Sequence, residues 1–157
     1  MIVNQGDRIH HPHHGIGQVL SVCKRSFGGE KATTFTQLYF TRNNLTLMLR
    51  SQDLASTVRT PIDASEAKKV LAHLRKWDGK VSSKWKVRAN AHQKAMERGT
   101  ALDYADVYKE LSKLEESGAL RASDRAHLNQ SLEFLVEELA NALGKTPDQA
   151  RKQIVNG

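Results

Sequence analysis

Cysteine is all but missing from this chain of 157 residues. Cys23 stands alone, so an intramolecular disulfide is excluded and a thiolate-rich zinc cluster lacks ligands. Its neighbours Lys24 and Arg25 can lower a thiol pKa, but its place in an expected strand reads as a buried structural residue. No run of about 18 apolar residues occurs, so no transmembrane helix is expected. The opening "MIVNQGDRI" has neither the basic start nor the apolar stretch of a signal peptide; together with the lone cysteine it suggests a reducing cytoplasm. Catalytic signatures are missing as well: there is no GxSxG, no P-loop, no HExxH, and no carboxylate pair in an evidently apolar setting. The expectation is a non-enzyme with no catalytic residue, no cofactor, no metal and no small-molecule substrate.

Positive charge is what the chain has in excess, and it is uneven. The formal net charge is +7. Residues 68–98 carry ten basic side chains against Asp78 and Glu97, whereas residues 99–157 carry seven against ten acidic ones. Such a run is either a solvated helix surface or a segment on which a polyanion docks. Hydrophobic residues make up 39%, enough for one ordinary domain or two small ones.

Two halves read differently. Up to about residue 58 the pattern is short and β-like. "IGQVLSVCK" alternates Ile16, Val19 and Val22 with polar neighbours, imperfectly; Gly28-Gly29 marks a hairpin; "TTFTQLYFT" and "LTLMLR" follow. Both faces of "TTFTQLYFT" are partly apolar, which suits a strand of a small barrel. Four or five antiparallel strands are expected, as in an SH3- or Tudor-like barrel. Beyond "TVRTPID" the chain is helical. Asp63 or Ser65 can cap a helix carrying Ala67, Val70, Leu71, Leu74 and Trp77. Ser82 or Ser83 can cap a second helix ending at Gly99, and a third stops at Gly118 with Tyr104, Val107, Tyr108, Leu111 and Leu114 on one stripe. Ser123 is expected to cap the fourth, which carries Leu128, Leu132, Leu135, Leu139 and Leu143 and ends at Gly144. Thr146 and Pro147 open the fifth. The fold class expected is α+β in two modules: a β-barrel at 1–58, a linker at 59–64, and an all-α module of five helices at 65–157.

"RIHHPHHGIG" looks like chemistry, with His10, His11, His13 and His14 within five positions. Adjacent residues on a strand point to opposite faces, so His10 and His11 cannot chelate together. Pro12 biases His11 toward extended backbone, and Gly15 and Gly17 permit positive φ. The segment therefore reads as strand, turn, strand, with imidazoles scattered around the turn rather than converging on a metal.

"GDRIHHPHHGIGQV", the Gly-Gly hairpin, "LTLMLR", and then "SSKWKVRANAHQKAMERG" together resemble the CarD/CdnL family of bacterial transcription regulators. The family's opening pattern is matched by Gly6, Asp7, Ile9, Pro12, His14, Gly15 and Gly17, and its Trp followed by basic residues by Trp85 through Gly99. The resemblance implies a barrel that binds the RNA polymerase β subunit and a helical module that contacts promoter DNA at the upstream edge of the melted bubble, in the short CdnL-like form. It also implies a cytoplasmic protein brought to the nucleoid by polymerase.

By that resemblance Trp85 is the wedge at the fork. Its own helix side offers Ala89, His92 and Met96, a thin stripe for a core indole. Lys84, Lys86, Arg88, Lys94 and Arg98 would supply phosphate contacts, while Val87 and Asn90 stand where some relatives have Arg and Lys. Arg25, Phe27, Leu47 and Met48 match the polymerase-contact surface, although Leu47 and Met48 also suit a barrel core, and Arg50 replaces a common Pro. Two other classes fit the composition: a small architectural protein binding duplex DNA without polymerase, and a barrel-bearing RNA- or ribosome-associated protein. A metal-dependent hydrolase is the outsider.

Overall fold

The computed structural model describes every residue except Phe27, Glu30 and Gly157. The chain forms two compact units, Met1–Pro61 and Ile62–Gly157.

The first unit is an antiparallel meander of β1 (Arg8–His11), β2 (Gly15–Arg25), β3 (Thr33–Phe40) and β4 (Leu45–Arg50), each paired with the next. A 3-10 turn at Ser51–Asp53 leads into the single-turn helix α1 (Leu54–Thr57), an element the sequence reading did not anticipate. Among the described residues no pairing joins β1 to β4, so the expected barrel is observed as an open meander. Arg59 covers the outer edge of β1, exchanging two backbone hydrogen bonds with His10 at 2.8 and 3.0 Å. Within the expected linker 59–64, Arg59 is bridged to His10 in the first unit, and Asp63 caps the first helix of the second.

Strand register explains which side chains enter the core. Val19 lies opposite Leu38, and Leu38 opposite Leu47, on the face that also buries Phe40. Ile9, Leu54 and Val58 complete this small core. A register shift between Val19 and Ser21 makes Leu20 an extra residue in β2, which is why the alternation of that strand is imperfect. Beyond the shift Ser21, Cys23 and Arg25 pair with Gln37, Phe35 and Thr33. Gln37 in turn faces Met48. Gly17 has an ordinary backbone and does not use the positive φ that a glycine permits. Its requirement is space, since a Cβ there would stand 2.6 Å from the Phe40 ring. Gly15 does take φ 74°.

Three of the four imidazoles, those of His11, His13 and His14, are drawn together at the turn rather than scattered. His11 lies 4.5 Å from His14 and 5.7 Å from His13 by ring centroids, with Phe40 against both His11 and His14. His11 Nδ1 accepts a hydrogen bond from His13 N at 3.0 Å, which fixes the proton of a neutral His11 on Nε2. His10 is fully buried; desolvation, reinforced by Arg59, lowers its pKa to about 3. Burial and the neighbouring imidazoles lower His11 to about 4. Both are uncharged packing residues at neutral pH.

The second unit is built from α2 (Ala64–Arg75), α3 (Trp85–Arg98), α4 (Ala101–Glu116), α5 (Ala122–Leu143) and α6 (Pro147–Val155). Its core centres on α4 against α5, where Tyr104 meets Phe134 at 5.3 Å between centroids, and Leu111, Leu135 and Leu139 are fully enclosed. Asp63 starts α2 with a reciprocal capping box to Glu66, and Thr146 with Pro147 starts α6 likewise through Gln149. Two expected caps fall elsewhere. α3 begins after Lys84, not after Ser82 or Ser83, and α5 begins after Arg121, leaving Ser123 inside the helix. Trp77 lies past the end of α2, half-buried, with Lys113 Nζ 4.9 Å from its ring.

Candidate nucleic-acid interface

Trp85 is the first residue of α3 and is 40% exposed, in a helix whose own inward stripe is Arg88, His92, Ala95 and Met96. Side chains lean toward the helix N-terminus, so an indole at the first position overhangs the end of the helix instead of entering the bundle. No acidic residue occupies the first turn of α3. The unpaired N–H groups and the helix dipole therefore add to the charges of exposed Lys84 and Lys86. Lys86 Nζ lies 5.5 Å from the Trp85 ring centroid. Arg121, the residue before α5, places its guanidinium carbon 4.7 Å from the same centroid. Arg121 is a cation that the sequence reading missed. It is 36 positions from Trp85, and no local spacing links the two.

The juxtaposition is fixed from beneath by a buried ion pair. Arg88 donates from Nε and Nη2 to the two oxygens of Asp124 at 2.9 and 2.7 Å, and from Nη1 to the Ser82 carbonyl at 2.7 Å. Arg88 and Asp124 are 4% and 1% exposed. Asp124 also accepts from the Arg121 backbone N–H at 3.0 Å, so one carboxylate serves both the start of α5 and the first turn of α3. The hydrogen bonds from Arg88 hold the Asp124 carboxyl below its usual pKa against the opposing effect of burial. Arg88 was expected among the phosphate contacts; it is instead enclosed, and its donors are spent on Asp124 and Ser82.

The remaining expected contacts divide. Lys94 and Arg98 are exposed but lie about 14 and 20 Å along the helix from Trp85 at 1.5 Å per residue. Arg98 is engaged with Asp103 through Nη2 at 2.9 Å and Nε at 3.2 Å. In the first unit Arg25 and Met48 are exposed, on one face of the sheet by register, whereas Leu47 is on the opposite face and packs against the core. Phe27 lies outside the described residues. Among the described residues no group of three or more His, Cys, Asp or Glu side chains is placed to hold a metal ion, and no helix is long and apolar enough to cross a membrane.

Among the described residues, a four-stranded antiparallel meander with the short α1, then the helices α2 to α6, define an α+β protein in two units, with an indole raised among cations at the start of α3. Its family is shown by comparison: residues 69–155 match the model of the CarD C-terminal domain, and the chain belongs to the CarD family. It is also similar to a Bacillus subtilis (strain 168) protein named "Putative transcription factor YdeB", at 26% identity over 147 residues, covering 93% of this chain and 95% of that one.

Proposed function

We propose that this chain regulates transcription: its first unit binds the RNA polymerase β subunit, and its second unit holds the upstream fork of the promoter bubble open with Trp85. The observation that carries the reading is the half-exposed indole at the positive start of α3, flanked by Lys84 and Lys86, with the guanidinium carbon of Arg121 4.7 Å from its centroid. Membership of the CarD family and the similarity to a protein named as a transcription factor support it.

An apolar wedge that parts an intact base step costs a few kcal/mol. At a fork the stack is already broken, so most of that cost is gone. Stacking an aromatic ring on an exposed base contributes about 1–3 kcal/mol. The contact exists only while the DNA is open and therefore biases the closed-to-open equilibrium. About 1.4 kcal/mol of such differential binding shifts the equilibrium tenfold. Lys84, Lys86 and Lys94 hold phosphates and orient the module without reading sequence; Arg98 joins them by giving up its contact with Asp103. Polymerase, not base readout, selects the promoter. On the first unit the face bearing Arg25 and Met48 meets the β subunit, and Leu47 supports that face from within.

The test is promoter opening followed with a fluorescent bubble reporter. Trp85→Ala is expected to leave polymerase retention intact and to return open-complex lifetime to that of polymerase alone; an unchanged lifetime removes Trp85 from the mechanism. Arg25→Glu is expected to weaken capture of the β subunit, and full capture would move the contact surface elsewhere. Tight, salt-sensitive binding of the wild-type chain to naked duplex would favour a purely architectural protein.

A further inference from the structure

We infer that Arg121 is the positioning residue of the Trp85 wedge and that its guanidinium donates to the DNA phosphate beside the stacked base. The inference rests on the wedge reading above. Arg121 is exposed, and its Cζ lies 4.7 Å from the centroid of the indole. A guanidinium that stacks on a ring engages it with its flat face, so its N–H donors, which lie in the guanidinium plane, still point outward. Trp85 keeps 40% exposure with Lys86 and Arg121 over its ring, so part of the side chain stays open to solvent. The arrangement thus offers two different chemistries at one point: a π-surface for a base, and an in-plane fork of donors for the adjoining phosphate.

The backbone under Arg121 is held in place. Asp124 accepts its N–H at 3.0 Å while gripping Arg88 on α3. The beginning of α5 is therefore fixed relative to the first turn of α3, and the guanidinium arrives over the indole without a loop having to order. A ring held in its bound orientation before DNA arrives loses less freedom on binding. Lys86, on a flexible four-carbon stem 5.5 Å from the centroid, supplies charge but not this planar restraint.

The experiment uses the full chain with polymerase and a promoter carrying 2-aminopurine at the upstream fork. Open-complex lifetime, base quenching and the dependence of lifetime on salt are measured for wild type, Trp85→Ala, Arg121→Ala and Arg121→Lys. Arg121→Ala is expected to shorten the lifetime about two- to five-fold, the size of an exposed cation–π contact, and to lower the salt slope by about one. Arg121→Lys is expected to restore the slope but not the quenching, because it returns the charge without the stacked plane. A purely structural Arg121 would move neither slope nor quenching in this pattern. If Trp85→Ala is defective while Arg121→Ala behaves as wild type, the role of Arg121 is overturned and the wedge stands. If Trp85→Ala is without effect, the wedge fails and takes this inference with it.

Discussion

Gly17 has no side chain because the Phe40 ring occupies the place where one would stand. A Cβ there would meet two ring carbons at 2.6 Å and the Tyr39 carbonyl at 2.9 Å. Gly17→Ala is therefore expected to cost about 1–3 kcal/mol through overpacking, read as a lower denaturant midpoint of the first unit. Arg88 is the costlier position. Arg88→Ala leaves the Asp124 carboxylate buried without its partner, and a loss of about 3–5 kcal/mol is expected in chemical denaturation. The double variant Arg88→Ala/Asp124→Ala should recover part of that loss, since it removes the stranded charge; a purely additive result would mean the pair is not coupled. The sequence showed Arg88 one turn beyond Trp85 and invited a phosphate contact. Its spacing of four and eight to His92 and Met96 also places it on the inward stripe, but the partner that decides between the two roles is 36 residues away.

At the scale of elements, helix ends were more legible than helix starts. Gly99, Gly118 and Gly144 all take positive φ where a helix was expected to stop, a backbone requirement that the residue type announces. Starts were legible where a side chain does the capping, as at Asp63 and Thr146. They were misplaced where none does: Lys84 makes no side-chain cap, and at α5 the service comes from Asp124 reaching back to the Arg121 N–H. Thr146→Ala removes the hydroxyl that accepts from Gln149 N and is expected to cost about 1 kcal/mol, measured as a lower melting temperature of the second unit. The β elements were legible in order, and in number as four or five where four are found, from Gly punctuation and alternation. The short helix α1 was not, because four residues are too few to show a helical period.

For the molecule as a whole, the two units should answer acid differently. His10 and His11 titrate at about 3 and about 4 when folded, against 6.5 for an ordinary imidazole. Between those values the unfolded chain binds more protons, so the first unit is fully stabilised above pH 6.5 and loses stability as pH falls toward 4. Each extra proton contributes about 1.4 kcal/mol per pH unit. In the second unit His127 is also lowered by burial and adds a loss of the same sign. The Asp124 pair acts at lower pH: its carboxyl is held below 3.8, so that stabilisation is lost only as pH falls through the folded value. Trp77 and Trp85 both belong to the second unit, so tryptophan fluorescence reports that unit alone. Acid titration is expected to change the β signal in circular dichroism before the tryptophan emission; coincident transitions would contradict this order. The division into a β half and a helical half was legible because hydrophobic period and charge both change near residue 60. The open meander was not, because strand patterns look alike in a closed and an open sheet.

Leu20 has a consequence out of proportion to its size. Were it paired as an ordinary strand residue, Ser21, Cys23 and Arg25 would fall in step with Val19 and turn toward Leu38 and Phe40. One surplus residue puts β2 out of phase, and a cation that would otherwise be aimed at the hydrophobic interior is delivered to solvent on the Met48 side. Pairing Leu20 with Gln37 instead, a slip of one residue, would reverse the far half of the strand like a glove turned inside out. Arg25 would then face the hydrophobic interior without any residue having been changed.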